Sequence, residues 1–427
     1  MDKFVITGGR PLHGTMQPSG NKNAALPMMA ACLLTEEPVI LHNMPNIIDT
    51  QTMRKLLESL GVKVEMLENA SSWRLQAKNI CPSDLDPDLC HQIRASILLA
   101  GPMLARFGNL VLPPPGGDVI GRRRVDTHIL ALEKLGAKFK FNGVFDFKAE
   151  RLQGADILLD EASVTATENT IMAAVLANGT TTIRNAASEP HIQELCKLLN
   201  AMGAGVQNIG SNTLVIEGKE RLHGAEFTIG PDYLEVISFV GAAVVTHGEI
   251  RIKNAGVEHL SMIQMVLKRL GVDMTFVGDD ILVGANQRLV IKPDLGNAIP
   301  EISVMPWPAF PTDLMSIAIV IATQSTGTIL FHDWMYPSRM FFTDKLVSMG
   351  AQIVLCDPHR CIVNGPTRLN AEKLDSPDIR AGIALVLAAL SANGTSTIRN
   401  VVQIDRGYER IDDKLRGLGA EIIRENA

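Results

Sequence analysis

Residues 53–64 read MRKLLESLGVKV, an amphipathic helix that stops at Gly61 and runs into a short β-prone stretch. The same phrase returns as ILALEKLGAKF (129–139), LCKLLNAMGAGV (195–206), IQMVLKRLGVDM (263–274), TDKLVSMGAQI (343–353) and IDDKLRGLGAEI (411–422). The six glycines, Gly61, Gly136, Gly203, Gly271, Gly350 and Gly419, are spaced by 75, 67, 68, 79 and 69 residues. One unit of about 70 residues therefore recurs six times. A glycine at that point ends a helix because it alone turns into the left-handed region without steric cost.

Upstream of the amphipathic helix, most units carry a β-branched strand closed by Asn: EEPVILHN, GTTTIRN, GEIRIKN and GTSTIRN, with GTILFHD placing Asp333 in that position. Asn or Asp suits a turn leaving a strand. Further upstream lies a second helix, apolar nearly all round, as in NKNAALPMMAACLL, ENTIMAAVLANG and DIRAGIALVLAALSANG. Such a helix is buried on every side. The unit thus reads as buried helix, strand, amphipathic helix, strand, in an α/β chain. Common solenoid repeats run at ~20 to 50 residues, so this period points instead to two pseudo-threefold domains. The expected division is 22–230, carrying a mobile loop at 115–124, against 1–21 plus 231–427.

Composition agrees with an ordinary folded protein. The chain has 427 residues, 46% hydrophobic and 20% charged, with a formal net charge of -6. That balance disfavours a sequence-independent grip on nucleic acid or anionic lipid. Its six cysteines form no CxxC pair and no signal-like segment opens the sequence, the pattern of a cytoplasmic protein with reduced thiols. No apolar run reaches the ~20 residues of a membrane span. No nucleotide fingerprint of the GxGxxG or GxxxxGK[ST] type occurs, and no His or Cys cluster has metal spacing, so no cofactor and no metal are expected.

In a repeat protein, chemistry belongs where the units differ. SGNKNAALP places Lys22 and Asn23 at a helix N-terminus, which favours an anion. The second unit replaces its Asn turn with PPPGGDVIGRRRVDTHI, a basic loop carrying Asp118 ahead of Arg122, Arg123 and Arg124. Arg94 and Arg380 head otherwise apolar helices, where an unpaired charge is costly. Arg339, Arg406 and Asp313 sit in other departures. Asp313 follows Pro-Thr, where capping a helix is the commoner role. Several arginines meeting at one place would bind a small, multiply charged anion.

SGNKNAALP, IRASI, GGDVIGRRRVDTHI, SVTATENTIM, FPTDL and IDRGYERIDDKLRGLGA, in that order, closely resemble the UDP-N-acetylglucosamine enolpyruvyl transferases over essentially the whole chain. The resemblance implies the two-domain enolpyruvyl transferase fold, three β/α units per domain, with the active site in the interdomain cleft. It implies transfer of the enolpyruvyl group of phosphoenolpyruvate to the 3'-hydroxyl of UDP-N-acetylglucosamine, with release of phosphate, as the first committed step of peptidoglycan synthesis. By the same resemblance Lys22, Arg123 and Arg406 grip phosphate, Arg339 and Arg380 lie near the carboxylate end, and Arg94 is a further cleft arginine. Asn23 stands beside the attacking hydroxyl, and Asp313 is the base. Lys22, Asp118 and Asp313 make up the catalytic set, Glu189, Asp232 and Glu235 fall at hinge and cleft, and Arg123, Val125, Asp126, Ser163 and Val164 contact the nucleotide sugar.

Five positions depart from that pattern. Asp118 stands where most of the family has cysteine, Glu161 where a lysine is usual, Thr165 in place of glycine, Arg124 in place of proline, and Trp307 at a histidine-like position. Three alternatives stay open at this point: another UDP-sugar as acceptor, 3-phosphoshikimate as acceptor, and a nucleotide-sugar sensor without turnover.

Overall fold

The computed structural model describes residues 2–67, 70–81, 85–117, 120–121 and 123–426. The chain divides into two compact bodies, Gly20–Asp118 with Arg123–Gly230, and Met1–Ser19 with Val119–Arg122 and Pro231–Ala427. Each has its own continuous apolar core.

All six predicted glycines end their helices as the sequence requires. Their φ values lie between 85° and 102°. In every case the glycine N–H and the next N–H turn back onto the last helical turn, as in Gly61 N to Glu58 O at 3.0 Å and Val62 N to Leu57 O at 3.0 Å. That pair of bonds satisfies carbonyls the helix would otherwise leave open. The strand-closing asparagines Asn43, Asn185, Asn254 and Asn400 all adopt positive φ, between 48° and 59°. Their recurrence thus has a backbone cause.

The unit holds more strands than predicted. After the amphipathic helix come two antiparallel strands rather than one, Lys63–Met66 and Trp73–Gln76 in the first unit. The second of these inserts beside the strand that leaves the buried helix. A further strand, ahead of the buried helix in most units, adds in parallel on the other side. The result is five four-stranded sheets and one three-stranded sheet, Asn109–Leu112 with Phe145–Lys148 and Lys138–Phe141, among the described residues. These extra strands escape a sequence reading because they alternate over only three to six residues and share no signature.

Chain ends complete the sheets. Lys3–Thr7 pairs between Thr395–Arg399 and Glu421–Glu425 in the last unit, and His13–Met16 pairs in parallel with Glu249–Ile252 in the fourth. In the other body Ala225–Thr228, from the end of the third unit, pairs with Val39–His42 of the first. Each set of three units is therefore closed on itself by main-chain hydrogen bonds. Inside, the apolar helices Tyr233–Val245, Met315–Thr323 and Ile379–Ser391 pack against one another in one body. In the other, Val164–Ala174 packs on Ala100–Phe107, and Lys22–Ala31 packs on the 3-10 turn Arg94–Leu99.

One buried helix carries an acid. Glu168, on Val164–Ala174, is 1% exposed, and its Oε1 has no hydrogen-bond partner among the described residues. Burial, and then the Glu189 carboxylate, push its pKa well above the usual range. The native state therefore keeps a proton that the unfolded chain releases near pH ~4.3, and stability falls with rising pH by up to about 1.4 kcal/mol per unit until the native group ionises. Glu168→Gln should flatten that slope. Urea midpoints at pH 5 and pH 7 test it; a variant that tracks the wild type at both values would clear Glu168 of this role.

Candidate active site

In the body built on 20–230, Asn21 caps the first buried helix by accepting from Asn23 N at 2.8 Å and Ala24 N at 3.3 Å. The next residue, Lys22, is not the exposed terminal lysine that a helix start would allow. It is 7% exposed and its Nζ lies 2.6 Å from Asp49 Oδ2, itself buried. Asp49 is the first-turn acid of Ile48–Ser59, and only the tertiary pairing reveals its role. Asn23 is half-buried beside it.

Arg94 does not head an α-helix, as the sequence suggested. It opens a 3-10 turn, which frees its guanidinium to reach sideways. Its Nη2 donates to the carbonyls of Arg123 at 2.8 Å and Arg124 at 2.9 Å. Those residues lead through Val125 into the helix Asp126–Lys134. Arg124, predicted as part of a free basic loop, instead pairs with Asp126 at 3.2 Å and Asp160 at 2.9 Å. Thr127 donates to Asp160 at 2.6 Å. Arg124, Asp126, Ile129, Leu130 and Asp160 line part of a groove of about 550 Å³. Ser163 caps the neighbouring helix, accepting from Ala166 N at 3.4 Å, and Val164 is its first residue. Asp118 and Arg122 lie outside the described residues.

The other body holds a buried polar cluster. Asp313 is not a helix cap: it lies within the 3-10 turn Thr312–Leu314, and its two carboxylate oxygens are taken by two arginines. Arg339 Nη2 reaches Oδ1 at 2.9 Å and Arg380 Nη2 reaches Oδ2 at 3.0 Å. Both guanidinium groups are buried, at 5% and 6% exposure. For Arg380, burial opposes the charge, but Asp313, Tyr408 and Asp232 outweigh it and the pKa is raised. Arg339 is raised against the same cost, chiefly by Asp313.

Surrounding groups fix that cluster. Asp378 caps Ile379–Ser391 by accepting from Arg380 N at 2.7 Å and Ala381 N at 2.9 Å, so the arginine emerges from a helix end already held. Ser238 Oγ donates to Leu234 O at 2.7 Å, which leaves it to accept from Tyr408 OH at 2.9 Å, while Arg380 bonds the phenol. Asp333, the residue that breaks the Asn series, is fully buried and accepts from Thr312 Oγ1, Met335 N and Tyr336 N. Its side chain thus tethers the turn bearing Asp313 to the segment bearing Arg339. Its departure from Asn was the signal available in the sequence.

Arg406, at the end of Val402–Asp405, donates to Gln403 Oε1 at 3.1 Å and precedes Tyr408 on the same segment. Asp232 caps Tyr233–Val245 through Leu234 N at 2.9 Å. Glu235, one turn on, accepts from Ser19 N at 2.7 Å and from Lys414 Nζ at 2.5 Å. These two acids have structural roles at the start of that helix; Glu189 sits at the cap position of Pro190–Ala201.

Among the described residues, no group of His, Cys, Asp and Glu is arranged to hold a metal ion. No helix among them is long and apolar enough to cross a membrane.

The fold is shared with solved structures. The enolpyruvyl transferase NikO from Streptomyces tendae superposes with a TM-score of 0.88 at 23% identity, covering 100% of this chain and 99% of its own. EPSP synthase from Acinetobacter baumannii gives 0.77 at 17% identity, with 100% of both chains covered. The sequence profile described as EPSP synthase (3-phosphoshikimate 1-carboxyvinyltransferase) matches residues 6–415. Identity is far higher to three relatives that share one name. The UDP-N-acetylglucosamine 1-carboxyvinyltransferase of Bradyrhizobium diazoefficiens is 56% identical, with 99% of this chain and 98% of the relative covered. The chain belongs to the UDP-N-acetylglucosamine 1-carboxyvinyltransferase family. Relatives of the same name from Treponema denticola, at 53% with 99% of each chain covered, and Bacteroides thetaiotaomicron, at 48% with 99% and 100% covered, agree. Within this family member, the unusual Trp307 is half-buried and packs against Tyr233 and His259, with ring centroids 6.0 and 6.4 Å away.

Proposed function

We propose that the chain transfers the enolpyruvyl group of phosphoenolpyruvate to the 3'-hydroxyl of UDP-N-acetylglucosamine, releasing phosphate, in the cytoplasm, as the first committed step of peptidoglycan synthesis. The observation that carries this reading is the Asp313 carboxylate clasped by buried Arg339 and Arg380. Arginine forks of that kind suit the carboxylate of a small dianionic substrate, and they place a cation pair beside the group that would act as base.

On this reading Arg339 and Arg380 hold the carboxylate end, and Lys22, Arg123 and Arg406 hold the phosphate. Addition protonates the methylene carbon of phosphoenolpyruvate while the sugar oxygen bonds to its C2 and gives up its proton to Asp313. Elimination then returns a proton from that same methyl carbon to the carboxylate left on Asp118 as the C2–O bond to phosphate breaks, and the departing phosphate carries away the proton that Asp313 took from the sugar hydroxyl. Asp118 serves as the general acid, and Lys22 stabilises charge growing on the departing phosphate. Asn23 orients the attacking hydroxyl. Arg94 sets the backbone of Arg123 and Arg124, and Val125, Asp126, Ser163 and Val164 contact the nucleotide sugar.

Phosphate release from phosphoenolpyruvate with a panel of UDP-sugars tests the reading. Turnover with UDP-N-acetylglucosamine is expected. Turnover only with another UDP-sugar would move the acceptor assignment, and turnover with 3-phosphoshikimate alone would overturn it. Lys22→Ala and Arg406→Ala should each lose a charge-assisted contact worth ~1.5 to 3 kcal/mol, about ten- to a hundredfold in kcat/KM for phosphoenolpyruvate. Unchanged rates in either variant would remove that residue from the site.

A further inference from the structure

Arg424 stands where the alternation of the last strand calls for an apolar side chain. In Glu421–Glu425, Ile422 is buried and Ile423 is exposed, so the two-residue period sends Arg424 to the inner side with Ile422. Its backbone is fixed there by pairing opposite Phe4, and its guanidinium carbon lies 4.7 Å from the centroid of that buried ring. The side chain then directs its donors at two carboxylates. Nη1 donates to Asp405 Oδ2 at 2.8 Å and Nη2 to Asp405 Oδ1 at 2.7 Å, a bidentate fork. Nη2 also reaches Asp412 Oδ1 at 3.1 Å, and Nε reaches Asp412 Oδ2 at 3.4 Å.

Asp405 closes the one-turn helix Val402–Asp405, and Asp412 lies in the first turn of Ile411–Gly417. Arg424 therefore grips both ends of the link 406–410, whose first residue is Arg406. A helix of four residues is too short to be stable by its own hydrogen bonds. Val401 and Ile404, both fully buried, anchor its inner side, and the Asp405 carboxylate fixes the end from which Arg406 departs. At the far end of the link Arg410 has φ 46°, a left-handed conformation that persists only where its surroundings hold it. Tyr408 is secured separately by Ser238. The residue whose placement depends on Arg424 is thus Arg406.

We propose, resting on the reading of Arg406 as a phosphate ligand, that Arg424 is a positioning residue for enolpyruvyl transfer: by clamping Asp405 and Asp412 it sets the direction from which Arg406 meets the phosphate of phosphoenolpyruvate. The last strand of the chain then serves the reaction without touching the substrate.

Phosphate release by the full chain tests this through a double-mutant cycle of Arg424→Gln and Arg406→Ala. Arg424→Gln alone should lower kcat/KM for phosphoenolpyruvate by about tenfold, because misplacing a binding group by on the order of 1 Å is enough for such a loss. Its calorimetric affinity for UDP-N-acetylglucosamine should stay within about twofold of the wild type. In the Arg406→Ala background the same substitution should cost less than about twofold, since two residues acting through one contact are not additive. Asp405→Asn opens the clamp from its other side and should give the same pattern, which keeps the test in force where Arg424→Gln folds poorly. Equal losses in both backgrounds would overturn the proposal, because the arginine would then act on the fold rather than through Arg406, and so would wild-type kcat/KM in Arg424→Gln. Wild-type kcat/KM in Arg406→Ala would instead sink the phosphate reading of Arg406 itself.

Discussion

Replacing Asp313 with asparagine is expected to lower turnover by about three orders of magnitude, the middle of the range for removing a general base. The substitution keeps the shape of the side chain and lets its oxygen go on accepting one hydrogen bond. It removes the negative charge. Arg339 and Arg380, both buried and both raised in pKa by that carboxylate, then share a neutral partner. Breaking a buried ion pair costs on the order of 3 kcal/mol, so the variant should also unfold at lower denaturant. The two effects separate by measurement. Asp313→Glu restores the charge to the arginines but moves the carboxylate, so it should recover much of the stability and little of the rate. Chemical denaturation and phosphate release on both variants check this. Full activity in Asp313→Asn would show that the carboxylate only neutralises the arginines.

The second large effect concerns a position read from the sequence alone. Members of the resembling family with a loop cysteine are inactivated when their thiolate opens the epoxide of fosfomycin. The sulfur bonds to an epoxide carbon, the C–O bond breaks, and the oxygen takes up a proton to leave a stable thioether. By the resemblance, Asp118 is expected at that position. A carboxylate is a far poorer nucleophile than a thiolate. The wild-type protein should therefore keep its activity through prolonged incubation with fosfomycin, whereas Asp118→Cys should lose it progressively and gain the mass of one inhibitor molecule. Intact-mass spectrometry with a residual-activity time course reads both. Equal inactivation of the wild type would show that Asp118 is not at the reactive loop position.

The repeat, and with it most of the fold, is written locally. A helix-ending glycine, a positive-φ asparagine and an all-apolar helix are each dictated by their own few residues, so six copies stay visible after the rest has diverged. The candidate site residues stood out too, as charged departures within those copies. What those charges pair with was decided only by packing. Asp313 looked like a cap and is the shared partner of two arginines 26 and 67 residues further along the chain. Lys22, read only as a helix-start cation, is paired with Asp49, and Arg124, read as part of a mobile basic loop, is paired twice. Buried polar contacts are equally non-local, since His128 Nδ1 meets Asn169 Nδ2, 41 residues away, at 2.9 Å. Sequence fixes conformation where the energy is short-ranged, in backbone sterics and helix ends. The partner of a buried charge is decided by which surfaces the folded cores bring within hydrogen-bond reach, because the desolvation that forces the pairing exists only once those cores have formed.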